Sequence, residues 1–322
     1  MSIADLNLKI LFAHPSYRLA EVFQQRRLDI ESRQVWSGEN LSMQVQDIDV
    51  LVISGLWSNE LLKSAKKLSY IQSISAGYDQ FPLSALRKRR IRLANAAGVN
   101  RDAVAQHAMG LILSFARQLH LARDNQRLNY WRPMISSVRS REDDLRGRVM
   151  LVVGLGDIGT ALAQLARSFG MKIIGIKRDI SKPPDVAHAV YPPNKLDALV
   201  SDADFIVLCC PLNADTKNII NTSLLKKMKS SAYLINVARG GCIDERALLE
   251  AIQNKDIAGA GLDHFSEEPL SSKSPFWGLS NVLITPHSAG ETQKYEVGII
   301  DILTENLKKM DLDDRDFTNR IV

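Results

Sequence analysis

One run constrains this chain more than any other: Arg148-Val149-Met150-Leu151-Val152-Val153-Gly154-Leu155-Gly156-Asp157-Ile158-Gly159. An unbroken apolar segment, suited to a buried strand, meets glycines spaced GxGxxG, and a helical pattern follows from Thr160 to Phe169. A second apolar run, Lys172–Ile176, then closes a unit of about thirty residues, the context the motif needs before it means anything. Each glycine has a distinct task. Gly154 permits a tight turn, Gly156 lets backbone approach a pyrophosphate, and Gly159 lets helix and strand pack closely. Amides at the helix N-terminus then face phosphate oxygens. The unit is read as a dinucleotide-binding loop.

The rest of the chain repeats the same grammar. Short apolar runs alternate with helical patterns from end to end, which predicts an α/β protein with doubly wound parallel sheets. In the first hundred residues strands are expected at LKILFAH, DVLVIS, YIQSIS and IRLANA. A long, unusually apolar helix is expected from Asp102 to Gln126, with one face packed on a second copy of the chain to give a homodimer. Further strands are expected at Val149–Gly154, Lys172–Ile176, Phe205–Pro211, Ala232–Ala238, Ile257–Asp263 and Val282–Thr285. Proline content makes Ser181 to Asn194 a loop, and a last helix is expected from about Glu291 to Met310. The polar tail DLDDRDFTNRIV must dock on something to stay ordered. A length of 322 residues suits two domains.

Composition excludes several classes. With 45% hydrophobic and 24% charged residues, the chain is neither disordered nor collagen-like. No apolar stretch approaches the roughly 18 residues of a membrane span. The N-terminus reads as a first strand, not a signal peptide, so a cytoplasmic protein is expected. The net charge of +5 comes from dispersed clusters, such as Arg87-Lys88-Arg89-Arg90, which fall at predicted helix ends and before strands. That pattern argues against a nucleic-acid face and is compatible with an anionic small molecule. Cys209, Cys210 and Cys242 cannot build a disulfide framework, and no His/Cys/Asp/Glu group has metal-site spacing, so no metal is expected.

The end of the second strand of the glycine unit bears on cofactor choice. An acidic residue there binds ribose hydroxyls of NAD, whereas a basic one accommodates the 2′-phosphate of NADP. Lys177 falls at this place and Arg178 adds a second cation, which favours NADP(H). Asp179 is the objection, since a small shift of the strand end brings it to the ribose and leaves NAD possible.

Ligands of open parallel sheets bind outside the carboxyl ends of the strands. Those ends carry Gly154–Gly159, Lys177-Arg178, Cys210-Pro211, Val237-Ala238-Arg239, Asp263-His264 and Pro286-His287. Charged residues directly after buried runs are costly unless paired, so Arg239, Asp263, Glu268 and His287 are expected to converge. The chemistry of such a set is legible. A nicotinamide exchanges hydride with carbon, and the oxygen on that carbon needs a proton donor or acceptor, which histidine suits. A carboxylate beside a histidine favours imidazolium and orients the ring. An arginine grips a substrate carboxylate and polarises the reacting carbonyl. Arg, Glu and His together describe reduction of a 2-oxo acid.

The sequence also resembles the D-isomer-specific 2-hydroxyacid dehydrogenases over nearly its whole length. The matching blocks are ISAGYDQF, NAAGVNRDAVAQHAMGLIL, DLRGRVMLVVGLGDIGTALAQLARSFGMKIIG, CCPLNADTKNIIN, LINVARGGCIDERALLEAI, GAGLDHFSEEPL and LITPHSAG. The resemblance implies two flavodoxin/Rossmann-like domains around a cleft, residues 1–98 with 288–322 for substrate and 99–287 for dinucleotide. It implies Arg239 as the substrate-carboxylate ligand, His287 as the acid/base, and Glu268 as its paired carboxylate. Ala76 and Gly77 would offer backbone amides to the substrate, and Leu56 and Trp57 would shape its side-chain pocket. Besides the glycine loop with Leu155, Asp157 and Ile158, the implied cofactor contacts are Lys177, Arg178, Cys210, Pro211, Thr216, Val237, Ala238, Asp263, His287 and Ala289. Gln106 departs from the glutamate frequent before the histidine of the family's long helix, and Lys177 replaces the acid of NAD-preferring members.

Rivals exist for two positions. Glu267 competes with Glu268, but Pro269 biases its predecessor towards extended backbone, which fixes the aim of Glu268. His264 competes with His287, but strand alternation after Asp263 sends His264 to the opposite face. His14, His107, His120 and His188 are read as structural or exposed. The alternative function is a dinucleotide-sensing binding protein on the same fold.

Overall fold

The computed structural model describes residues 7–311 and 317–322. In chain order its elements begin β1 (Lys9–Ala13), α1 (Leu19–Gln24), β2 (Glu31–Val35), α2 (Gly38–Gln44), β3 (Val50–Ile53) and α3 (Leu61–Ser64). Next come β4 (Tyr70–Ser73), α4 (Leu83–Lys88), β5 (Arg92–Ala94), α5 (Arg101–Ala116), α6 (Leu119–Arg127), β6 (Val149–Val153), α7 (Asp157–Ser168), β7 (Lys172–Ile176) and β8 (Ala189–Tyr191). The chain ends with α8 (Leu196–Leu199), β9 (Phe205–Leu208), α9 (Thr222–Leu225), β10 (Tyr233–Asn236), α10 (Glu245–Gln253), β11 (Gly259–Leu262), β12 (Val282–Ile284) and α11 (Tyr295–Asp311). These elements form two compact units, and the chain passes between them at Asn100–Arg101 and at Glu291–Thr292. The second crossing falls a few residues beyond His287, because the turn after β12 is tied by hydrogen bonds into the second unit.

The first unit carries a parallel five-stranded sheet in the order β2-β1-β3-β4-β5. The order reverses beside β1, so its switch point lies between the carboxyl ends of β1 and β3. The strands β1, β3 and β4 are buried along almost their whole length, as a sheet covered on both faces requires. β2 escaped the reading of apolar runs because it is an edge strand, ESRQV, with only Val35 buried. α11 lays Ile299, Ile300, Leu303 and Leu307 into this core. The tail residues Phe317–Val322 dock as the sequence requires: Phe317 packs edge-on against Tyr70, and Ile321 and Val322 donate to the carbonyl of Leu93. Residues 312–316 of that tail, and 1–6 of the N-terminus, lie outside the described residues.

The second unit holds a parallel seven-stranded sheet, β12-β11-β10-β9-β6-β7-β8, whose switch point lies between β6 and β9. β8 falls inside the segment read as a loop from its prolines. It follows Pro183 and Pro184 and precedes Pro192, and it pairs with β7 at the sheet edge, where such neighbours are tolerated. The long helix expected from Asp102 to Gln126 is two helices, broken where Gln118 takes a left-handed conformation (φ 51°). Its apolar run is covered by its own chain: Ala105, Ala108, Ile112 and Phe115 are buried in the core that also takes in α7 and β6. Large apolar side chains are left exposed from α6 onward, at Leu119, Leu121, Leu128, Tyr130, Trp131, Met134 and Val138. Among the described residues no helix is long and apolar enough to cross a membrane.

Candidate functional site

The glycine loop occupies the switch point of the seven-stranded sheet. Gly154 has φ +100°, and a Cβ there would lie 2.6 Å from the amide nitrogen of Cys210. A Cβ on Gly159 would strike the carbonyl oxygen of Gly154 at 2.3 Å, so α7 sits directly on the loop, whereas around Gly156 nothing lies within 4 Å. Gly156 is the N-cap of α7 and brings no side-chain acceptor to the amides of the first turn. Open space in front of uncapped amides fits a pyrophosphate. Leu155 points its side chain into the core, against Gly175, leaving only its backbone to the loop. Asp157 is exposed, Ile158 half-buried, and Val237 and Ala238 are buried. The loop after β9 is closed by Thr216, whose hydroxyl donates to the carbonyl of Pro211 at 2.6 Å and accepts from the Asn213 amide. β9 ends at Leu208, short of the strand end expected at Pro211, so Cys209, Cys210 and Pro211 belong to this rim. Burial pushes the Cys209 thiol up to about 12, which makes it an inert hydrophobe.

Lys177 directly follows β7 and Arg178 beside it is exposed. Asp179 turns to its own loop. Its carboxylate accepts from the amide and the hydroxyl of Ser181, at 2.9 and 2.6 Å, and these bonds hold it below the usual carboxylate range. The two cations are therefore presented at the strand end, and the acid is engaged beside them.

The other cluster lies at the ends of β10, β11 and β12. Leu262 and Ile284 pair across β11 and β12, which sets Asp263 beside Thr285. Asp263 is 1% exposed, and its carboxylate takes the Thr285 hydroxyl at 2.6 Å, the Ser288 amide at 2.9 Å and the Ala289 amide at 3.1 Å. Its own carbonyl accepts the His287 amide at 3.0 Å. A buried carboxylate needs such donors, and here they also pin the turn after β12. That pinning matters because His287 sits at φ +53°, a left-handed conformation costing about 1–3 kcal/mol unless neighbours impose it. The imidazole, half-exposed, places Nδ1 2.7 Å from Glu268 Oε2. Behind Asp263, His107 reaches Thr285 Oγ1 with Nε2 at 3.0 Å; the sequence marked it only as structural or exposed.

Glu268, not Glu267, is the acid that faces His287. Its Oε1 accepts the Phe265 amide at 3.1 Å. Burial alone raises this carboxyl, but the hydrogen bonds with His287 and the Phe265 amide outweigh it and hold the group below its ordinary value. The structure corrects the expectation for His264. β11 ends at Leu262, so strand alternation no longer governs residue 264. His264 lies 5% exposed on the same side as the dyad, Nδ1 3.3 Å from Glu268 Oε1, with its ring edge-on to His287 at 3.9 Å. Burial, then the neighbouring His287 and Arg239 charges, push its pKa down to about 4. Nitrogen and oxygen atoms of His264, Glu268 and His287 lie within 4.8 Å of one another. Separation in sequence hid this potential cation-binding group, although a cation would have to displace the His287–Glu268 hydrogen bond.

Arg239 follows β10 in extended conformation and is half-buried, its Nη1 donating to the Ala238 carbonyl at 2.7 Å. Asn236 braces this turn: its side chain donates to the Arg239 carbonyl and accepts from the Ala238 amide, both at 3.0 Å. A Cβ on Gly240 would lie 1.9 Å from the Phe265 carbonyl carbon, so the arginine turn rests directly on the backbone between His264 and Glu268. The Arg239 turn, a buried imidazole and an acid–imidazole pair thus lie at adjacent strand ends. A cavity of about 430 Å³ opens beside the acid–imidazole pair, lined by Glu268, His287, Thr285, Phe265, Trp277 and Leu270 among others.

In the first unit, Leu56 and Trp57 follow β3, at that sheet's own switch point. Trp57 packs on Phe81 at 4.9 Å and donates Nε1–H to Asn59. Ala76 and Gly77 follow β4, with the Ala76 carbonyl held by Asn95 at 2.6 Å. Three further histidines are structural: His14 and His188 accept backbone amides through Nδ1, and His120 Nδ1 meets the Ser114 carbonyl.

Known proteins resemble this chain along most of its length. Residues 109–289 match the NAD binding domain of D-isomer specific 2-hydroxyacid dehydrogenases. A glyoxylate reductase of Korarchaeum cryptofilum is 31% identical over 300 residues, covering 91% of this chain and 89% of the relative. A D-3-phosphoglycerate dehydrogenase of Methanocaldococcus jannaschii is 33% identical over 94% of this chain, which spans 57% of that longer protein. Among solved structures, an NADPH-dependent glyoxylate/hydroxypyruvate reductase of Sinorhizobium meliloti superposes with TM-score 0.82 at 26% identity, over 98% of each chain. An acyclic imino acid reductase in complex with NADPH and D-Arg superposes at 0.84 with 26% identity, over 98% of this chain and all of the other. The protein therefore belongs to the D-isomer-specific 2-hydroxyacid dehydrogenase family and is an NAD(P)-dependent oxidoreductase.

Proposed function

We propose that the chain reduces a 2-oxo acid to a D-2-hydroxy acid, with NADPH preferred over NADH. The observation that carries the reading is the Glu268–His287 pair at 2.7 Å, set beside the Arg239 turn. When bound, the dinucleotide supplies the hydride. The residues that would hold it are the backbone of Gly154, Leu155, Gly156, Asp157, Ile158 and Gly159, with Lys177 and Arg178 for a 2′-phosphate. The rims Cys210-Pro211, Thr216 and Val237-Ala238, together with Asp263 and Ala289, complete its surroundings.

The residues then divide the work. Arg239 forks onto the substrate carboxylate and leans on the carbonyl oxygen, favouring charge that develops there. His287 as imidazolium gives its proton to that oxygen through Nε2, while Glu268 holds Nδ1 and stabilises the cation. Asp263 keeps the ring in place through the turn it ties. In the first unit, the amides of Ala76 and Gly77 and the apolar surfaces of Leu56 and Trp57 are assigned to the substrate. NADPH-linked reductases among the similar proteins support the cofactor assignment, as does the engagement of Asp179 by Ser181.

Oxidation of NADPH and NADH, followed optically against a panel of 2-oxo acids, tests the reading. Turnover favouring NADPH is expected. Tight cofactor binding with no turnover on any acid overturns it in favour of a dinucleotide sensor.

The exposed apolar side chains from Leu119 to Val138, which begin within the 102–126 region expected from sequence to pair, are proposed as a homodimer contact. Light scattering reads the mass directly; a monomer at micromolar concentration overturns the proposal.

A further inference from the structure

His264 is a buried titratable group at the site to which the proposed chemistry gives no task. Its two nitrogens face different carboxylates: Nδ1 lies 3.3 Å from Glu268 Oε1, and Nε2 lies 3.7 Å from Asp263 Oδ2. The second separation is beyond hydrogen-bonding range, and the first lies at its long edge. Asp263 already takes three donors, whereas Glu268 takes the Phe265 amide on Oε1 and His287 on Oε2. A neutral imidazole carries one N–H, and the nearer oxygen receives it better.

We propose that His264 is a positioning residue: as a neutral imidazole with its proton on Nδ1 it donates to Glu268 Oε1, and so fixes Oε2 on His287. The inference rests on the acid/base reading of His287 and Glu268. Glu268 stands on a loop, and one amide alone leaves its carboxylate free to swing about the Oε1 contact. A second donor on the same oxygen, from a ring held at 5% exposure, removes that freedom. The edge-on packing of the two imidazoles, 3.9 Å between centroids, restrains His287 by the same ring. The charged and titratable groups around His264 are His287, Glu268, Asp263 and Arg239, with His107 behind Asp263. Burial, then the neighbouring His287 and Arg239 charges, hold the ring's pKa well below its ordinary value, which favours the neutral form near pH 7.

The sign of the effect follows. Glu268 is held below its ordinary value by its bonds to His287 and the Phe265 amide; a third donor from His264 acts in the same direction, so its loss raises the pKa. Reduction should then fail at higher pH on the acid side. For His264→Val we expect the acid limb of the pH–rate profile to move up by about half a pH unit or more, with kcat down about tenfold. His264→Asn restores an N–H near the Nδ1 position and should return both towards wild type. A merely structural role lowers Tm in both variants and leaves the limb where it is. The tautomer is read without turnover, by long-range ¹H–¹⁵N spectra of the ligand-free wild-type protein. An Nδ1–H signal for His264 is expected; an Nε2–H tautomer, or an unmoved acid limb in His264→Val, overturns the proposal. A wild-type protein that binds NADPH but turns over no 2-oxo acid defeats the acid/base reading instead, and the tautomer measurement still judges His264.

Discussion

Two rims of one sheet are built to different tolerances. At the ends of β10, β11 and β12 almost every polar group is cross-tied: Asp263 takes three donors, Glu268 two, and the Gly240 turn touches the Phe265–Ser266 backbone. At the end of β7, Lys177 and Arg178 stand at the surface, and the Asp179–Ser181 turn is local. Proton transfer needs atoms placed within tenths of an ångström, whereas recognition of a phosphate tolerates long side chains that find their partner on binding. The first rim concentrates strain and burial; the second concentrates charge.

Substitutions at each rim test that contrast. His287→Ala should leave the fold intact and lower turnover by about 1,000-fold, read in steady-state kinetics at saturating NADPH. A rate near wild type would show that the tied rim is not where the proton moves. Gly240→Ala forces a Cβ into the Phe265 carbonyl and should destabilise by about 3 kcal/mol, read as a fall in denaturation midpoint. Asp263→Asn offers an amide N–H where an oxygen now accepts, at a cost of about 2 kcal/mol, with His287 released from its left-handed turn. An unchanged midpoint there would mean the turn holds itself. At the open rim, Lys177→Ala with Arg178→Ala should weaken NADPH about tenfold or more, leave NADH nearly unchanged and leave stability within about 0.5 kcal/mol. Equal losses for both dinucleotides would remove the 2′-phosphate from this site. The smallest effect is expected for Asp179→Ala, which frees Ser181 and should shift cofactor preference by less than about threefold.

Much of this was legible along the chain because the signals are local. A buried parallel strand reads as an apolar run, and the GxGxxG spacing answers to contacts within one βαβ unit, as Gly154 and Gly159 show. The errors have local causes too. β2 and β8 are edge strands, where one exposed face dilutes the apolar signal. The break at Gln118 needs a single left-handed residue that is not glycine, which periodicity does not register.

The sequence by itself determined the two parallel sheets, the glycine loop at the switch point, and the candidates Arg239, Glu268 and His287, because charged residues that follow buried strands have few places to go. Only the tertiary structure decided that His264 lies against the dyad, that Asp263 is the clasp of the His287 turn, and that Glu268 spends one oxygen on the Phe265 amide and the other on His287. Side-chain direction follows a rule inside a strand, but one residue past its end the direction is set by hydrogen bonds to distant parts of the chain, which no local pattern records.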